Sequence, residues 1–332
     1  MFNDDTIMAT TASRRHIDLM LKVARAYYLD DKTQSEIAKE IGYSRPTVSR
    51  LLKESREMGI VHITIGHALE RMRSLEEGLK RRYGLRHARV AEVRPGEDPA
   101  LIVPRYAASL FTETCAPNSL VTVSNGSAVA ATVREVPVRD WPKSNVAQML
   151  GTLSPNNPMT DSPDICRMLA QRIGGTFTIL PAPMILSSPE LAHAMRKEPQ
   201  IATALALGGG ADVAIVGVGA VTTERSGHIF DAYIDQRKAA ELHRQGVVGH
   251  ICGHHIDAEG RHVTTDLCER TISIDIDRLH RIPLVIGVAW GPVKTPAIHA
   301  CLVGRLISAL VTDQSTAEAL LAWDGSETRD TP

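Results

Sequence analysis

The spacing of apolar residues divides the chain into a helical head and a longer body in which short apolar runs alternate with helical stretches. In residues 14–29, RRHIDLMLKVARAYYL, Ile17, Leu21, Ala24 and Tyr28 fall on one helical stripe. Residues 33–65 then carry two shorter helical patterns that meet at a tight turn and run into an alternating segment. Thr33 and Glu36 form a capping box, so a helix starts near Gln34, with Ile37, Ala38 and Ile41 on one face. Gly42 supplies the positive φ that ends it. Ser44 caps a second helix with Pro46 in its first turn, where a missing N–H leaves no helical bond unmade. Val48, Leu51 and Leu52 face a core, which turns Arg45, Thr47, Ser49, Arg50 and Lys53 outward. After Gly59, Val61, Ile63 and Ile65 alternate as a short strand that can serve as a wing.

Two helices at a glycine turn, the second with short hydroxyls and arginines at its start, suit a DNA-reading helix-turn-helix. Such side chains reach base edges and donate to phosphate or guanine. The candidate DNA-contacting residues are Gln34, Ser44, Arg45, Thr47, Ser49, Arg50 and Lys53. The alternative is an ordinary helical hairpin with a solvated basic face.

Residues 68–82, ALERMRSLEEGLKRR, place Leu69, Met72, Leu75 and Leu79 on a stripe that either packs on the body or pairs two copies. From Leu85 the runs HARVAEV, SLVTVSNGS, NVAQMLG, ADVAIVGVGA and IPLVIGVAWG read as buried strands, most ending in glycine-bearing loops. Strands alternating with helices predict a mostly parallel, wound α/β sheet. Ligands bind such sheets beyond the carboxyl ends of the strands. The loops to examine are Ser124-Asn125-Gly126-Ser127, Gly151-Thr152-Leu153-Ser154, Gly217-Val218-Gly219-Ala220 and Gly291-Pro292-Val293-Lys294. The first opens the helix SAVAATVREV, so it suits either an anion such as phosphate or a plain N-cap. Lys294, after another strand, can supply the counter-charge.

Charge sharpens this division. Residues 14–86 hold 16 Lys and Arg against 10 Asp and Glu, leaving 21 against 28 in the rest of a 332-residue chain. A basic head on an acidic body fits a phosphate-binding module joined to a different one, although a solvated basic surface explains the count equally well. The five cysteines are scattered without C-x-x-C spacing, which argues against a disulfide framework or zinc finger. The segment 1–13 is polar and acidic and reads as a disordered tail, as does 324–332. No apolar run is long enough for a bilayer, so the reading is cytoplasmic. In GHICGHHIDAEGRH, 249–262, a single strand would put His250, Cys252 and His254 on one face as metal ligands, but the Asp257-Ala-Glu-Gly260 turn signal weighs against it. His254 and Asp257 can instead bind hydroxyl groups of a polar ligand.

These residues resemble the SorC family, the sugar-binding DeoR-like bacterial transcriptional regulators. The resemblance runs from about residue 14 to 322. It rests on the head QSEIAKEIGYSRPTVSRLLKESREMGIV, on DVAIVGVGAV at 212–221, on VVGHICGHHIDAEG at 247–260, and on IPLVIGVAWGPVKTPAIHACLVGRLISALVTDQSTAEALL at 282–321. It implies a Rossmann-like body related to sugar-phosphate isomerases and deaminases that binds a sugar, polyol or phosphosugar in the strand-end cleft. It also implies that the 124–127 loop and Lys294 touch the effector, and that the working form is a homodimer or homotetramer. Two departures stand out: His250 occupies a position where many relatives have Asp, and Ser-Asn-Gly-Ser is less glycine-rich than the corresponding loop of relatives.

The expected protein is therefore a DNA-binding regulator, a repressor of a carbohydrate operon, with a helix-turn-helix domain over 14–66, a linker or oligomerisation helix over 67–84 and an effector domain over 85–323. The expected effector residues are Ser124, Asn125, Gly126, Ser127, Gly151, Thr152, Gly217, Gly219, His254, Asp257 and Lys294. No cofactor motif is present. The competing classes are an isomerase or deaminase using Asp257, Asp231 or His254 as acid or base, and a metal-responsive regulator.

Overall fold

A computed structural model describes residues 4–62, 68–153, 160–222, 230 and 233–324. The chain divides into two compact units, at Gly66 and His67.

In the first unit, helix α1 spans Asp4–Tyr28, so it begins ten residues inside the expected tail. Its buried face is Met20, Val23, Ala24 and Ala26, with Leu21 42% exposed. Met20 and Leu21 lie at i+3 and i+4 from Ile17, and helical spacing alone cannot choose between two such neighbours. Helix α2 (Gln34–Ile41) is held at its start by the reciprocal box: Glu36 N–H donates to Thr33 Oγ1 at 3.3 Å and Thr33 N–H to Glu36 Oε2 at 2.8 Å. Gly42, with φ +74°, ends it. Helix α3 (Arg45–Glu57) is capped by Ser44, which accepts from Thr47 N–H. It ends in a Schellman pattern: Ile60 N–H donates to Ser55 O, Gly59 N–H to Arg56 O, and Gly59 has φ +70°. Val48, Leu51 and Leu52 pack with Met20, Val23, Ile37 and Ala38 into one small core. Of the expected wing, Val61 is irregular, and Ile63 and Ile65 lie outside the described residues.

The second unit opens with α4 (Ala68–Tyr83), whose Met72 and Leu79 are buried in the body's core while Leu69 is 55% exposed. Its stripe is thus used within the chain. Gly78 lies so close to Leu321 that an added Cβ would stand 3.1 Å from that side chain.

The sheet consists of β1 (His87–Ala91), β2 (Leu120–Val123), β3 (Asn145–Gln148), β4 (Thr176–Thr178), β5 (Val213–Ala220), β8 (Leu284–Val288) and β9 (Ala309–Asp313), parallel throughout and ordered β1-β9-β8-β5-β2-β3-β4. A hairpin of β6 (Gly249–Ile251) and β7 (His254–Ile256) adds antiparallel to the end of β5. The strands are apolar on both sides because both faces are covered. Along β5, Val213 and Ile215 enter the core lined by α5 (Pro99–Thr114), α6 (Ser127–Glu135) and α7 (Ser162–Ile173). Ala214, Val216 and Val218 enter the opposite core, with α4, α13 (Thr295–Val303) and α14 (Gln314–Ala322). From β2 the chain winds outward through β3, and from β5 it winds the other way through β8. The crevice between β2 and β5 is therefore the topological switch point, where a wound sheet opens at its carboxyl edge.

Candidate functional site

At that edge lies a cavity of about 280 Å3, lined by the loop after β2, the end of β5, His250 and Cys252 of the hairpin, and Trp290 to Lys294 after β8. The loop after β2 is drawn tight. Ser124 N–H donates to Ile215 O at 3.0 Å, Gly217 N–H donates to Ser124 Oγ at 3.2 Å, and Gly126 N–H donates to Thr160 O at 2.9 Å. Ser124 Oγ thus ties the ends of β2 and β5 together. The Asn125 amide turns inward, 3.6 Å from Met184 Sδ. Gly126 has φ +113°, a conformation that disfavours any side chain, and it is the N-cap of α6 without a side-chain cap. The plain-cap alternative does not hold here. Ser127, Ala128 and Val129, the uncapped first turn of α6, line the cavity. A helix start with unsatisfied N–H groups favours an anion.

Lys294 faces the same space, and no acidic side chain is among the described lining residues. Burial holds the Lys294 ammonium below the usual lysine range. Its Nζ stands 5.8 Å from the centre of the Trp290 ring and forms no ion pair among the described residues. A half-buried cation without a carboxylate partner is unusual, because an isolated buried charge is unfavourable until something neutralises it. Gly291, with φ +96°, turns the chain between Trp290 and Lys294. At the end of β5, an added Cβ on Gly219 would lie 2.0 Å from His250 Nε2, so only glycine lets the imidazole close over the strand.

Of the residues expected to bind effector, Ser124, Asn125, Gly126, Ser127, Gly217, Gly219 and Lys294 converge on this cavity. Gly151, Thr152, His254 and Asp257 do not line it. Gly151 packs against the backbone of Pro183, and Thr152 bridges to the same residue. His254 is directed to Ile274 O at 2.8 Å, with burial holding its imidazole below the usual range. Asp257 closes its own turn, accepting from Glu259 N–H at 3.0 Å and Arg261 N–H at 2.8 Å. Burial works to raise that carboxyl, but Arg261 outweighs it and holds it low. The stretch 249–262 is a hairpin and a turn, not one strand. Cys252 (φ +50°) and Gly253 (φ +82°) reverse the chain so that His250 pairs with His255, which takes His250, Cys252 and His254 off a common face. No group of three metal-ligating side chains comes together among the described residues. Asp231 and Ser154 lie outside the described residues. Trp290 and His250 join the site without having been singled out for it. An aromatic residue directly before a strand-end glycine was the available signal for Trp290.

In the head, Arg45, Ser49, Arg50 and Lys53 are exposed on α3, and Thr47 and Gln34 are half-buried. Ser44 is engaged as a cap and shares a 2.8 Å hydrogen bond with the Thr47 hydroxyl. Lys53 lies 3.6 Å from Glu57 on the same helix, whereas Arg45 and Arg50 form no ion pair among the described residues.

A further set of contacts links the cavity to α4. Helix α13 starts next to Lys294, and its His299 stands 3.0 Å from the Tyr83 hydroxyl at the end of α4. Tyr83 donates its one proton to Leu320 O at 2.9 Å, so His299 Nδ1 must be the donor to Tyr83. Burial, with the nearby Arg82 charge, lowers the His299 pKa. Arg82 itself donates to Leu321 O and Trp323 O.

Comparison with known proteins identifies the family. Residues 67–322 match the Sugar-bind family of sugar-binding domains. The chain is 31% identical to the sorbitol operon regulator of Klebsiella pneumoniae over 311 residues, covering 92% of this chain and 98% of that one. It is 30% identical to the deoxyribonucleoside regulator of Bacillus subtilis over 312 residues, covering 93% and 98%. The crystal structure of full-length SorC from Klebsiella pneumoniae superposes with a TM-score of 0.74 at 31% identity, over 92% of this chain and 99% of that one. No helix among the described residues is long and apolar enough to cross a membrane. The chain belongs to the SorC family of transcriptional regulators, with a helix-turn-helix head and the family's sugar-binding domain over residues 67–322.

Proposed function

We propose that this regulator binds operator DNA through α3 and is controlled by an anionic, sugar-like effector, a phosphosugar before a neutral sugar or polyol, held between the start of α6 and Lys294. The observation that carries this reading is the pairing of an uncapped helix start with an ammonium group, in a cavity whose described lining offers no carboxylate. A neutral sugar would leave the Lys294 ammonium without a charge partner among the described residues. The same feature favours a regulator over an isomerase or deaminase. Catalysis at a sugar carbon needs a positioned acid or base, and Asp257 and His254 point elsewhere.

Two heads are needed to span two half-sites one or more helical turns apart, which supports a homodimer or homotetramer acting on a palindromic operator. An effector changes operator affinity only if it binds one arrangement of heads better than the other. The contact from α13 through His299 to Tyr83 is the physical link we assign to that coupling, with effector relieving repression. A thermal-shift screen of matched sugars, polyols and their phosphates tests the reading, since a ligand of the folded state raises its melting temperature by mass action. Stabilisation by the phosphates alone is expected. Equal stabilisation by the unphosphorylated partners would overturn it.

A further inference from the structure

The head uses only part of the apolar stripe on α1. Ala24 is buried, but Leu21 is 42% exposed, and Ile17 and Tyr28 are half-buried at the rim of the head's core. The four residues fall at i, i+4, i+7 and i+11 along one helix, so their exposed parts form a continuous seam. Asp18 and Arg25 stand about two helical turns apart on the same flank of that seam, and both are exposed. That spacing is too long for them to pair with each other. The close acid–base contacts of the head join His16 to Glu54, Lys32 to Glu40 and Lys53 to Glu57. Among the described residues, then, Arg14, Asp18 and Arg25 form no ion pair.

We propose that this face of α1 docks against the same face of a second copy of the chain, the two α1 helices packing antiparallel across a two-fold axis. A two-fold contact has to be self-complementary, because each patch meets its own copy. An antiparallel pair meets that condition. With Leu21 set across from the partner's Ala24, Ile17 meets the partner's Tyr28 and Asp18 meets the partner's Arg25, and by symmetry each contact occurs twice. Arg14 then falls beside the partner's Asp30 and Asp31, which are exposed just past the end of the helix. A parallel pair would instead set Asp18 against Asp18 and Arg25 against Arg25. DNA suits the face poorly, since Asp18, Asp30 and Asp31 repel phosphate and the apolar seam would stay uncovered. The inference rests on the two-head reading proposed above and names the surface through which the heads meet. Three apolar side chains a side cover far less than the roughly 800 Å2 per partner of a standard interface, so α1 sets the arrangement of heads in a pair that is also held elsewhere.

The native cysteines are all buried, so an introduced surface thiol can be addressed by itself. Full-length protein carrying Leu21→Cys is treated with a bis-maleimide whose spacer is about 8 Å, the separation of packed helix axes. The introduced thiols should join across the two-fold axis and give a covalent dimer, whereas Lys39→Cys, exposed on α2, should give no more dimer than the parent protein. Adding Arg25→Asp to Leu21→Cys should cut the dimer yield about fivefold, the scale of exposed ion pairs lost twice by symmetry. Adding Asp18→Arg instead should cut it as far, and the two reversals together should restore it, with circular dichroism checking that each variant folds. A yield at Leu21→Cys no higher than at Lys39→Cys, or folded single reversals that leave the yield unchanged, would overturn the docking surface. Sedimentation of the untreated parent separates that failure from failure of the two-head reading. A dimer or tetramer that does not crosslink leaves the two-head reading standing and assigns the α1 face to another occupant, while a monomer at every concentration removes both.

Discussion

Helices α3 and α6 both begin at a polar turn in a place suited to binding phosphate, yet they are finished differently. At α3, Ser44 supplies a side-chain oxygen to Thr47 N–H, leaving the outward side chains Arg45, Ser49 and Arg50 to make contacts. At α6 the cap is Gly126, which has no side chain to give, and the backbone N–H groups themselves remain for a partner. A helix that reads DNA needs a rigid, self-sufficient start, because specificity resides in side chains that approach base edges. A helix that holds an effector does better unfinished, because the ligand then completes it. On the effector reading proposed above, the Lys294 ammonium, which forms no ion pair among the described residues, belongs to the same design.

The largest effect should come from removing that ammonium. Lys294→Ala is expected to weaken binding of the best phosphorylated ligand by about 2 kcal/mol, roughly thirtyfold, the scale of a charge-assisted hydrogen bond. Isothermal titration gives the number, and an unchanged dissociation constant would remove Lys294 from the site. On the other side of the comparison, Arg50→Ala should weaken operator binding about tenfold at fixed salt without moving the melting temperature, as expected for one lost base or phosphate contact. A melting shift of several degrees would show that Arg50 supports the fold instead. Ser44→Ala tests the finished helix itself: it should lower the stability of the head by about 1 kcal/mol in denaturant unfolding. A neutral result would mean that the α3 start does not depend on its cap. Smallest is Tyr83→Phe, which removes the hydroxyl shared by His299 and Leu320. It should leave effector affinity intact and reduce the effector-induced change in operator affinity by a few-fold, the scale of one neutral hydrogen bond. Unaltered coupling would disconnect α13 from the signal.

Affinity for an anionic ligand should also fall as the solution is made alkaline. Lys294 loses its proton below the usual lysine range because burial disfavours its charge, so the decline begins before ordinary lysines titrate. Titrations over a pH series read this directly.

Much of the head was legible because its determinants are local. The Thr33–Glu36 box, the Gly42 stop and the Ser44 cap are each completed within four residues, and each appears in the structure. The exception, Met20 in place of Leu21 on the buried face, depends on how α1 rotates against α2 and α3. The body was legible as strands and strand-end loops: the five expected runs correspond to β1, β2, β3, β5 and β8. The ALVTD strand β9, inserted between β1 and β8, and the reversal at Cys252 and Gly253 were not foreseen. A strand turning back on itself shows the same residue types as one running straight, and two positive φ angles made the difference.

By itself the sequence determined which short stretches carry polar groups at strand ends and helix starts, since capping and turn chemistry depend on neighbours in the chain. Only the tertiary structure decided which of those stretches meet. The order that puts β5 between β2 and β8 brings residues 124–129, 217–220, Thr222, His250, Cys252 and residues 290–294 to one cavity and leaves Gly151, Thr152, His254 and Asp257 out of it. Strand order is set by how crossover helices bury their apolar faces over the whole sheet, and no local pattern encodes that sum.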